Sequence, residues 1–506
     1  SLRRAPDQPF VLQDIPAEDP VVYDMLCRGE STGVFQVESR AQMNMLPRLR
    51  PRNYFDLVIE VAIVRPGPIQ GGMVHPYLKR RQGLEAVKYP SAAVESVLKR
   101  TLGIPIFQEQ VMQLAMVAAG FSAGEADQLR RAMAAWKRRG GLGHLKDKLT
   151  AGMLENGYTP EFAESIYKQI AGFGTYGFPE SHAASFALLV YASSWLKCHH
   201  PAAFCAALLN SQPMGFYSPS QLIQDVQRNG VTVLPIDVMQ STWETHLVLP
   251  PPAPAESSCD EPIGSLRLPE QPMIRLGLHL VGGLKEAAGR RIEVARAAKQ
   301  FRSVRDLVER AALDQGDAKA LARADALREL AGHRLQAVWT TGVAAVPDWP
   351  LAPSDEAEER QSATALQPMT LGQEVLADFG STGLTLRAHP MRLVRSQLSG
   401  VYRACDLGRV PSGRRIRVAG LVTCRQRPGT ASGVTFVTLE DETGNTNVVV
   451  WRDVAEKQRR ALIASRLMIV YGTLEHQGPV THLIAVELTD ASHLVAGLVL
   501  VAHEFH

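Results

Sequence analysis

The segment Phe173–Tyr217, FGTYGFPESHAASFALLVYASSWLKCHHPAAFCAALLNSQPMGFY, places a polar pair, Ser181 and His182, at the start of an apolar helix. We predict Ser181 as the helix N-cap, because its hydroxyl can accept a hydrogen bond from a backbone N–H one turn on. His182 then lies in the first turn, where the helix dipole and unpaired N–H groups favour an anion. The pattern is typical of a phosphate site, although an ordinary capped core helix is the commoner explanation.

The bulk composition is that of an ordinary globular protein. With 506 residues, the chain is long enough for three or four domains of roughly 150 residues each. Its net charge is only +3, so binding to nucleic acid would have to depend on local clusters of cations. No run approaches the ~20 apolar residues of a membrane span, and we expect no membrane partner.

The cysteines indicate a cytoplasmic location. Six are scattered along the chain without a CxxC pair, which suits a reducing compartment better than a disulfide framework. One group, Cys198, His199, His200 and Cys205, has the residue types of a metal site. It spans a helix end and the next helix start, however, and buried free cysteines are common. We therefore predict no metal ligands in this chain.

The pattern along the chain predicts a multidomain α+β fold. Helical periods recur up to residue 230, and the clearest helix begins with a capping box of Ser122 and Glu125. Segments rich in Pro, Ser and Ala are typical of linkers. The predicted divisions are a helical domain over 1–230, a loop-rich linker over 231–270, a helix-hairpin-helix unit over 271–340, a linker and connecting segment over 341–410, an OB-fold over 411–492 and a C-terminal tail over 493–506.

The helix-hairpin-helix unit is predicted from IRLGLHLVGGLKEAAGRRIEVARA, which begins at Ile274. Two helices flank a turn that contains Gly282 and Gly283, and backbone N–H groups of such a turn can hold a DNA phosphate. With Lys285, these two glycines are our DNA-binding candidates here. A plain helical hairpin explains the glycines equally well. A second, degenerate hairpin is predicted over Leu313–Leu327.

From residue 415 the hydrophobic period changes to two. Five short strands within about 75 residues, with a helix between the third and fourth, predict an OB-fold barrel. Such a barrel binds single-stranded nucleic acid in some proteins and is a scaffold in others, so the fold leaves its function open. The predicted elements are strands Ile416–Val418, Val434–Leu439, Asn447–Trp451, Leu467–Thr473 and His482–Glu487 and helix Asp453–Ser465.

The helix EADQLRRAMAAWKRR, which follows the capping box, is the strongest basic element. Arg130 and Lys137 are seven residues apart, as are Arg131 and Arg138, so each pair falls near one helix face. Guanidinium groups bind phosphate oxygens bidentately, and the cluster suits a triphosphate or a DNA backbone. We assign Lys137 and Arg138 to DNA. A solvated face in which Asp127 pairs with Arg131 is an equally good explanation.

A second basic cluster, Lys79, Arg80 and Arg81, follows the turn-rich loop RPGPIQGG at Arg65–Gly72. An exposed loop with a cation at its entrance is a common binding element. We expect Lys79 and Arg80 to bind DNA. Gln108 opens a helix and offers an uncharged donor, although glutamine is more often simply an exposed helix start.

Read together, the motifs resemble the fingers region of the C-family bacterial replicative polymerases, the alpha subunit of DNA polymerase III. Two of them are similar to the error-prone second alpha subunit, which acts in damage-induced mutagenesis. The resemblance covers essentially the whole chain. The motifs are GVFQVESR (33–40), RPGPIQGGMV (65–74), IFQEQVM (106–112), EADQLRRAM (125–133), PESHAASFALLVYASSWLK (179–197) and AALLNSQPMGFY (206–217).

The resemblance implies roles for individual residues. Four side chains are expected to face the phosphates of the incoming nucleotide: Arg130, Arg131, Ser181 and His182. Arg65 and Gln108 are weaker nucleotide-binding candidates from the same surface. Where replicative relatives carry Asn-Lys, this chain has Pro179 and Glu180. An anion thus replaces a cation near the triphosphate, which implies a looser nucleotide grip and suits relaxed selectivity.

The resemblance also implies what this sequence lacks. Family polymerases hold two Mg²⁺ ions with palm aspartates, which serve the two-metal mechanism. The corresponding PDIDxDF-type and KFDFLGL-type motifs do not occur, and Asp14, Asp19 and Asp24 do not match them. We therefore assign no catalytic residue. We expect a C-terminal fragment that lacks the PHP domain and most of the palm, is inactive alone and leaves the Mg²⁺ ligands outside this chain.

The implied function is error-prone, DNA-directed DNA synthesis across damaged template. The implied partners are a DNA primer–template, a deoxynucleoside triphosphate and mutasome accessory proteins. Contact with the sliding clamp is expected to be indirect, because Ala365–Phe379 has no convincing QxxLF-like motif. The alternative function is a non-catalytic nucleic-acid-binding or scaffold fragment.

Overall fold

The computed structural model describes residues 3–5, 8–139, 143–173, 179–214, 216–249, 271–344, 366–428, 433–478, 480–497 and 503–505. The chain divides into two compact units. One comprises Ser1–His199 with Gly478–Val480, and the other comprises His200–Gln477 with Thr481–His506. The predicted class, α+β with helical, hairpin and OB-fold parts, is confirmed. Over the described residues, no helix combines the length and apolar character that crossing a bilayer requires.

The first unit is almost entirely helical, as predicted. A two-stranded sheet, β1 (Arg3–Ala5) with β2 (Gln8–Pro9), precedes the helices. The helices are α1 (Pro20–Cys27), α2 (Arg40–Leu49), α3 (Tyr54–Ile63), α4 (Pro66–Gln70), α5 (Val74–Arg81), α6 (Ala92–Leu98), α7 (Gln108–Ala119), α8 (Ala123–Arg139), α9 (Gly143–Glu155), α10 (Pro160–Phe173) and α11 (Glu180–His199).

Helix α3 is the buried centre of this unit. Asn53 begins it, since the Asn53 side chain accepts a hydrogen bond from the Asp56 N–H at 3.0 Å. Every residue from Asp56 to Ile63 is buried, and α11 packs against the helix. Glu60 is fully buried, and neither of its carboxylate oxygens has a hydrogen-bond partner among the described residues. Burial therefore raises the pKa of Glu60 well above its ordinary value, because desolvation disfavours the charged carboxylate.

The second unit starts earlier than the predicted boundary at residue 230. The two helices after His199 share one hydrophobic core with the hairpin unit, which explains why the division falls there. Within the predicted linker 231–270, a small sheet runs in the order β3–β5–β4, and residues 250–270 lie outside the described part. The elements are α12 (Pro201–Asn210), α13 (Pro219–Arg228), β3 (Val233–Leu234), β4 (His246–Val248), β5 (Met273–Arg275), α14 (Glu286–Ala298), α15 (Val304–Arg310), α16 (Gln315–Arg323), α17 (Arg328–Ala331) and α18 (Arg334–Ala344).

The first arm of the predicted hairpin is not a helix. The segment from Ile274 begins in strand β5 and continues as one 3₁₀ turn, Leu278–Leu280, before the glycine turn and α14. Short apolar runs of this kind fit a strand and a buried helix equally well. The predicted second hairpin is a single helix, α16, with turns on either side.

The predicted connecting segment 341–410 contains two further helices, α19 (Leu371–Thr382) and α20 (Pro390–Val394). A buried ion-pair cluster joins α18 to α19. Asp378 of α19 is bound by Arg334 and by Arg387, whose Nη1 lies 2.6 Å from Asp378 Oδ2. Glu374 contributes a second carboxylate, 3.0 Å from Arg334 Nη1. The cluster thus fixes α19 on the hairpin unit.

The OB-fold barrel forms as predicted. Its strands are β6 (Arg415–Gln426), β7 (Thr435–Asp441), β8 (Gly444–Val450), β9 (Leu467–Gln477) and β10 (Val480–Asp490), with short helices α21 (Arg452–Lys457) and α22 (Arg459–Ala464). The order β6–β7–β8–β10–β9 closes because β6 also pairs with β9, from Arg415 opposite Thr473 to Leu421 opposite Leu467. In the predicted tail, β11 (His503–Phe505) pairs in parallel with Cys424–Gln426 of β6.

Barrel closure depends on close backbone contact at Gly472. A Cβ atom there would lie 2.2 Å from the carbonyl oxygen of Ile484. We expect Gly472→Ala to lower the free energy of unfolding by about 1–3 kcal/mol, because the strands would have to separate. Gly408→Ala is the control, since its Cβ would meet nothing within 4 Å. Urea unfolding followed by hydrogen exchange in the barrel measures both. Equal stability of the two variants would contradict this account.

Candidate nucleotide and nucleic-acid site

The start of α11 differs from the predicted cap. The helix begins at Glu180, so Ser181 and His182 both lie in its first turn and are exposed. The backbone N–H of Glu180 donates to Glu109 Oε2 at 3.0 Å. One of the helix-start N–H groups that could bind an external anion is therefore already hydrogen-bonded to a carboxylate of the protein. Of the preceding residues, 174–178 lie outside the described part.

The charge of Glu180 is neutralised within the protein. Arg100 binds its carboxylate bidentately, at 2.7 and 3.0 Å. The Arg100 guanidinium also lies 5.1 Å from the ring centroid of Phe55, a cation–π distance. Glu180, which stands where replicative relatives carry a lysine, therefore forms an ion pair with Arg100 at the start of α11.

Gln108 and Arg65 lie at the starts of helices α7 and α4. Gln108 is the first residue of α7 and precedes Glu109, so the Glu109–Glu180 hydrogen bond brings it near the start of α11. Arg65 directly precedes α4, and its Nε donates to the Val61 carbonyl at 3.2 Å.

The predicted exposed loop Arg65–Gly72 is largely helix α4, and the glycines after this helix pack on the end of α10. A Cβ atom on Gly172 would lie 2.6 Å from the Cα of Gly71. Only glycine allows the two backbones to approach so closely. The end of α4 is therefore held against α10.

Arg130 and Arg131 share one counter-ion. Arg130 Nη2 lies 2.8 Å from Asp127 Oδ1, and Arg131 Nη2 lies 2.7 Å from Asp127 Oδ2. The hydrogen bond from Arg130, with the charge of Arg131, lowers the pKa of Asp127. Two guanidinium groups against one carboxylate leave a net positive charge. The pairing that the sequence left as an alternative thus exists, and a phosphate would have to compete with Asp127.

The remaining basic candidates of the first unit differ in whether their side chains are open to a ligand. Lys79 is exposed. Arg80 binds Glu85 at 2.9 Å and the Leu102 carbonyl at 2.8 Å, so the fold itself uses its guanidinium. The side chains of Lys137 and Arg138 lie outside the described residues, although their backbone belongs to α8.

The glycine turn of the hairpin unit is partly occupied. The Gly282 N–H donates to the Ser381 carbonyl at 2.7 Å, and a Cβ on Gly282 would lie 2.9 Å from that oxygen. Gly282 therefore serves the packing of the turn on α19. Gly283 has a φ of +88°, which favours glycine. Lys285 pairs with Asp314 at 2.7 Å on the surface.

The barrel presents two exposed aromatic side chains. Phe436 on β7 is 39% exposed and Trp451, directly after β8, is 52% exposed. Phe436 stands opposite Gln426 on β6 and opposite Val449 on β8. Since side chains alternate along a strand, Val449 and Trp451 lie on the same face as Phe436. Exposed aromatic rings on a barrel are typical platforms for stacking of bases.

Three family models match the chain. The finger domain of the bacterial DNA polymerase III alpha subunit matches residues 2–157, a helix-hairpin-helix motif matches 230–337, and an OB-fold nucleic acid binding domain matches 416–490. An error-prone DNA polymerase of Methylococcus capsulatus is 56% identical over 98% of this chain. Over nearly all of its length the chain is therefore similar to error-prone DNA polymerases. Those of Alkalilimnicola ehrlichii and Pseudomonas fluorescens are each 55% identical over 98% of the chain.

The chain spans about half of each relative. It covers 48% of the Methylococcus capsulatus protein, 47% of the Alkalilimnicola ehrlichii protein and 48% of the Pseudomonas fluorescens protein. The resemblance that the motifs indicated is therefore confirmed over nearly all of this chain. The helix-hairpin-helix match begins at residue 230, within the second compact unit.

The described residues of this chain do not fit a magnesium site. Acidic side chains near the nucleotide candidates are already engaged: Asp127 by two arginines, Glu180 by Arg100, and Glu109 by a backbone N–H. No group of three or more His, Cys, Asp or Glu residues within the described ranges could hold a metal ion. His199 contacts Asp19 instead, at 2.8 Å.

Sequence reasoning missed several residues of these surfaces. Arg100 and Glu109 lie 80 and 71 positions from Glu180, and no local pattern connects residues so far apart. Phe436 and Trp451 could have been found, because the outward phase of the predicted strands contains both of them. Exposed aromatic residues in that phase are the signal.

Proposed function

We propose that this chain forms the nucleotide- and DNA-contacting part of an error-prone, DNA-directed DNA polymerase that copies damaged template in damage-induced mutagenesis. The observation that carries the proposal is 55–56% identity to error-prone DNA polymerases over 98% of the chain. The exposed Ser181 and His182, and the positive charge of Arg130 and Arg131, support a triphosphate site on the first unit.

In the proposed site, Arg130 and Arg131 bind the triphosphate bidentately in place of Asp127. The Ser181 hydroxyl and the His182 imidazole donate to phosphate oxygens from the first turn of α11, where the helix dipole favours negative charge. Arg65 and Gln108 are supporting candidates, and the Glu180–Glu109 hydrogen bond and the close approach of Gly71 to Gly172 support their inclusion.

DNA is the proposed macromolecular partner. We assign backbone contacts to Lys79, Lys137, Arg138 and the turn of Gly283 and Lys285. Arg80 and Gly282, which the sequence also indicated, are better explained by their contacts within the fold. Stacking of template bases on Phe436 and Trp451 is the proposed role of the barrel.

The remaining parts of the proposal concern partners and location. Magnesium would act in the intact enzyme through ligands outside this sequence, and this chain alone would not extend a primer. Accessory proteins would recruit the enzyme and contact with the clamp would be indirect, since Val375 and Phe379 of the corresponding segment are buried in its own core. A cytoplasmic location fits the free thiols of the described cysteines.

A chimera tests the proposed function. This chain would replace the matching part of the Methylococcus capsulatus relative, and magnesium-dependent primer extension would be measured beside the chain alone. We expect extension by the chimera, loss of activity on Ser181→Ala with His182→Ala, and none by the chain alone. An inactive chimera that still binds DNA would favour a scaffold, and extension by the chain alone would contradict the proposed division of labour.

Glu180 is predicted to weaken the nucleotide grip. In the chimera, Glu180→Lys would leave Arg100 unpaired and add a cation beside the triphosphate, so we expect about tenfold tighter nucleotide binding and less misinsertion. Adding Arg100→Glu restores an ion pair in which the two charges have exchanged positions. Nucleotide affinity and misinsertion should then both return toward their original values. Single-nucleotide incorporation kinetics measure both. Unchanged affinity and misinsertion in Glu180→Lys would exclude this role.

A further inference from the structure

Positive charge is concentrated in one short part of the first unit. Residues 40–82 contain eight Lys or Arg residues and only two acidic residues, whereas the whole chain has a net charge of +3. Both acidic residues, Asp56 and Glu60, are buried. The surface formed by this segment is therefore strongly cationic.

Side-chain hydrogen bonds hold the C-terminal ends of α2 and α5 together. Arg81 Nη2 donates to the Arg50 carbonyl at 3.3 Å and binds Asp56 Oδ2 at 2.6 Å. The adjacent Gln82 donates from Nε2 to the Arg48 carbonyl at 3.1 Å. These bonds fix the cations of the two helix ends beside one another.

Three cations at this junction have no acidic partner. Arg80 pairs with Glu85, whereas Arg48, Arg50 and Lys79 form no ion pair with any described residue. We call Arg48, Arg50 and Lys79 the α2–α5 patch. Arg50 and Lys79 are exposed and Arg48 is half-buried.

Arg48 carries the clearest sign of a missing counter-charge. Burial lowers the pKa of its guanidinium, and no neighbouring charge of either sign offsets this effect. A partly desolvated cation of this kind gains from an anion that approaches its solvent-facing side.

Neutralisation of the helix dipoles does not account for the patch. Cations at helix C-termini can bind the last carbonyl groups. Here Arg81 performs that task at Leu49 and Arg50, and Arg80 binds the carbonyl of Leu102. The patch cations contribute no hydrogen bond to these carbonyl groups within the described ranges.

We propose that the α2–α5 patch binds the phosphate backbone of duplex DNA without reading its sequence. The inference rests on the proposed function and adds Arg48 and Arg50 to the DNA-contacting surface beside Lys79. Three neighbouring cations that pair with no acidic side chain of the described residues match the regular negative charge of a duplex. The contact would orient the DNA and would leave nucleotide chemistry to other residues.

The test compares the full chain with a triple variant, Arg48→Gln, Arg50→Asn and Lys79→Gln, on a short fluorescent duplex of random sequence. Arg50 has a φ of 53°, in the left-handed region. Asparagine is chosen there because it adopts this region more readily than most residues. Loss of three phosphate contacts should reduce the slope of log affinity against log salt by about 2–3. Affinity at low salt should fall by roughly 100-fold.

A matched control removes three exposed lysines elsewhere on the unit, with Lys88→Gln, Lys99→Gln and Lys168→Gln. It makes the same change in net charge and should keep most of the salt slope. Thermal unfolding checks that both variants fold. Equal slopes for the patch variant and the unchanged chain would overturn the patch, whereas failure of the unchanged chain to bind duplex DNA would count against the proposed function itself.

Discussion

Replacing both Arg130 and Arg131 by alanine is expected to lower kcat/KM for nucleotide incorporation by the chimera about 1000-fold. Each guanidinium would lose charge-assisted hydrogen bonds to the triphosphate, and bonds of this kind are worth roughly a factor of 10–100 each. The loss should appear in KM if the arginines bind substrate and transition state equally, and in kcat if they act only in the transition state. Single-turnover incorporation separates the two.

Asp127 supplies the control for this experiment. Because its carboxylate holds both arginines at 2.8 and 2.7 Å, Asp127→Asn should release them and lower KM severalfold. Arg130→Lys with Arg131→Lys keeps the charge but loses the planar fork, and should recover only part of the activity. An unchanged kcat/KM in the double alanine variant would exclude a nucleotide role for this helix.

Asp378→Ala is expected to cost about 3–5 kcal/mol of the free energy of unfolding of the second unit. The side chain is 8% exposed and accepts hydrogen bonds from Arg334, from Arg387 and, at 2.6 Å, from the hydroxyl of Thr385. Its removal leaves a buried guanidinium with an incomplete set of partners, which is more costly than the loss of an exposed pair. Hydrogen exchange of α18 and α19 under increasing urea measures the effect.

The control is an exposed ion pair in the same unit. Asp406 binds Arg403 at 3.0 Å with both side chains open to solvent, so Asp406→Ala should leave the unfolding transition unchanged. A second variant, Arg387→Met, should also destabilise the unit, since Arg387 pairs with Asp325, Glu374 and Asp378 and its loss leaves these buried carboxylates short of positive charge. Equal stability of Asp378→Ala and Asp406→Ala would contradict the importance of the cluster.

The hydrophobic pattern of the sequence predicted helices and strands well where the pattern extended over many residues. Strand β8 alternates the buried Thr446, Val448 and Val450 with less buried neighbours, and the predicted strand Asn447–Trp451 overlaps it. Strand β6 alternates only at its start and runs to Gln426, well beyond the predicted end at Val418. The capping box of Ser122 and Glu125 exists as expected, with the Glu125 N–H donating to the Ser122 hydroxyl at 3.4 Å. Such signals are local and need no tertiary information.

Local pattern gave wrong predictions where contacts between distant residues determine the structure. The segment after Ile274 is apolar in both periods, and its pairing with β3 and β4, far away in sequence, makes it a strand. At α11, Glu109 accepts the N–H of Glu180, so the helix begins without the serine cap. The roles of individual site residues, which follow from the family resemblance, stay predictions.

The pairing of β11 with β6 has a consequence for how the protein is made. Residues 503–505 lie beside residues 424–426, so the far end of β6 gains this partner only once residues 503–505 have been synthesised. Contacts between residues so distant in sequence form slowly, whereas helices that pack on near neighbours form early. During translation the helices of the first unit would therefore form before β11 pairs with β6.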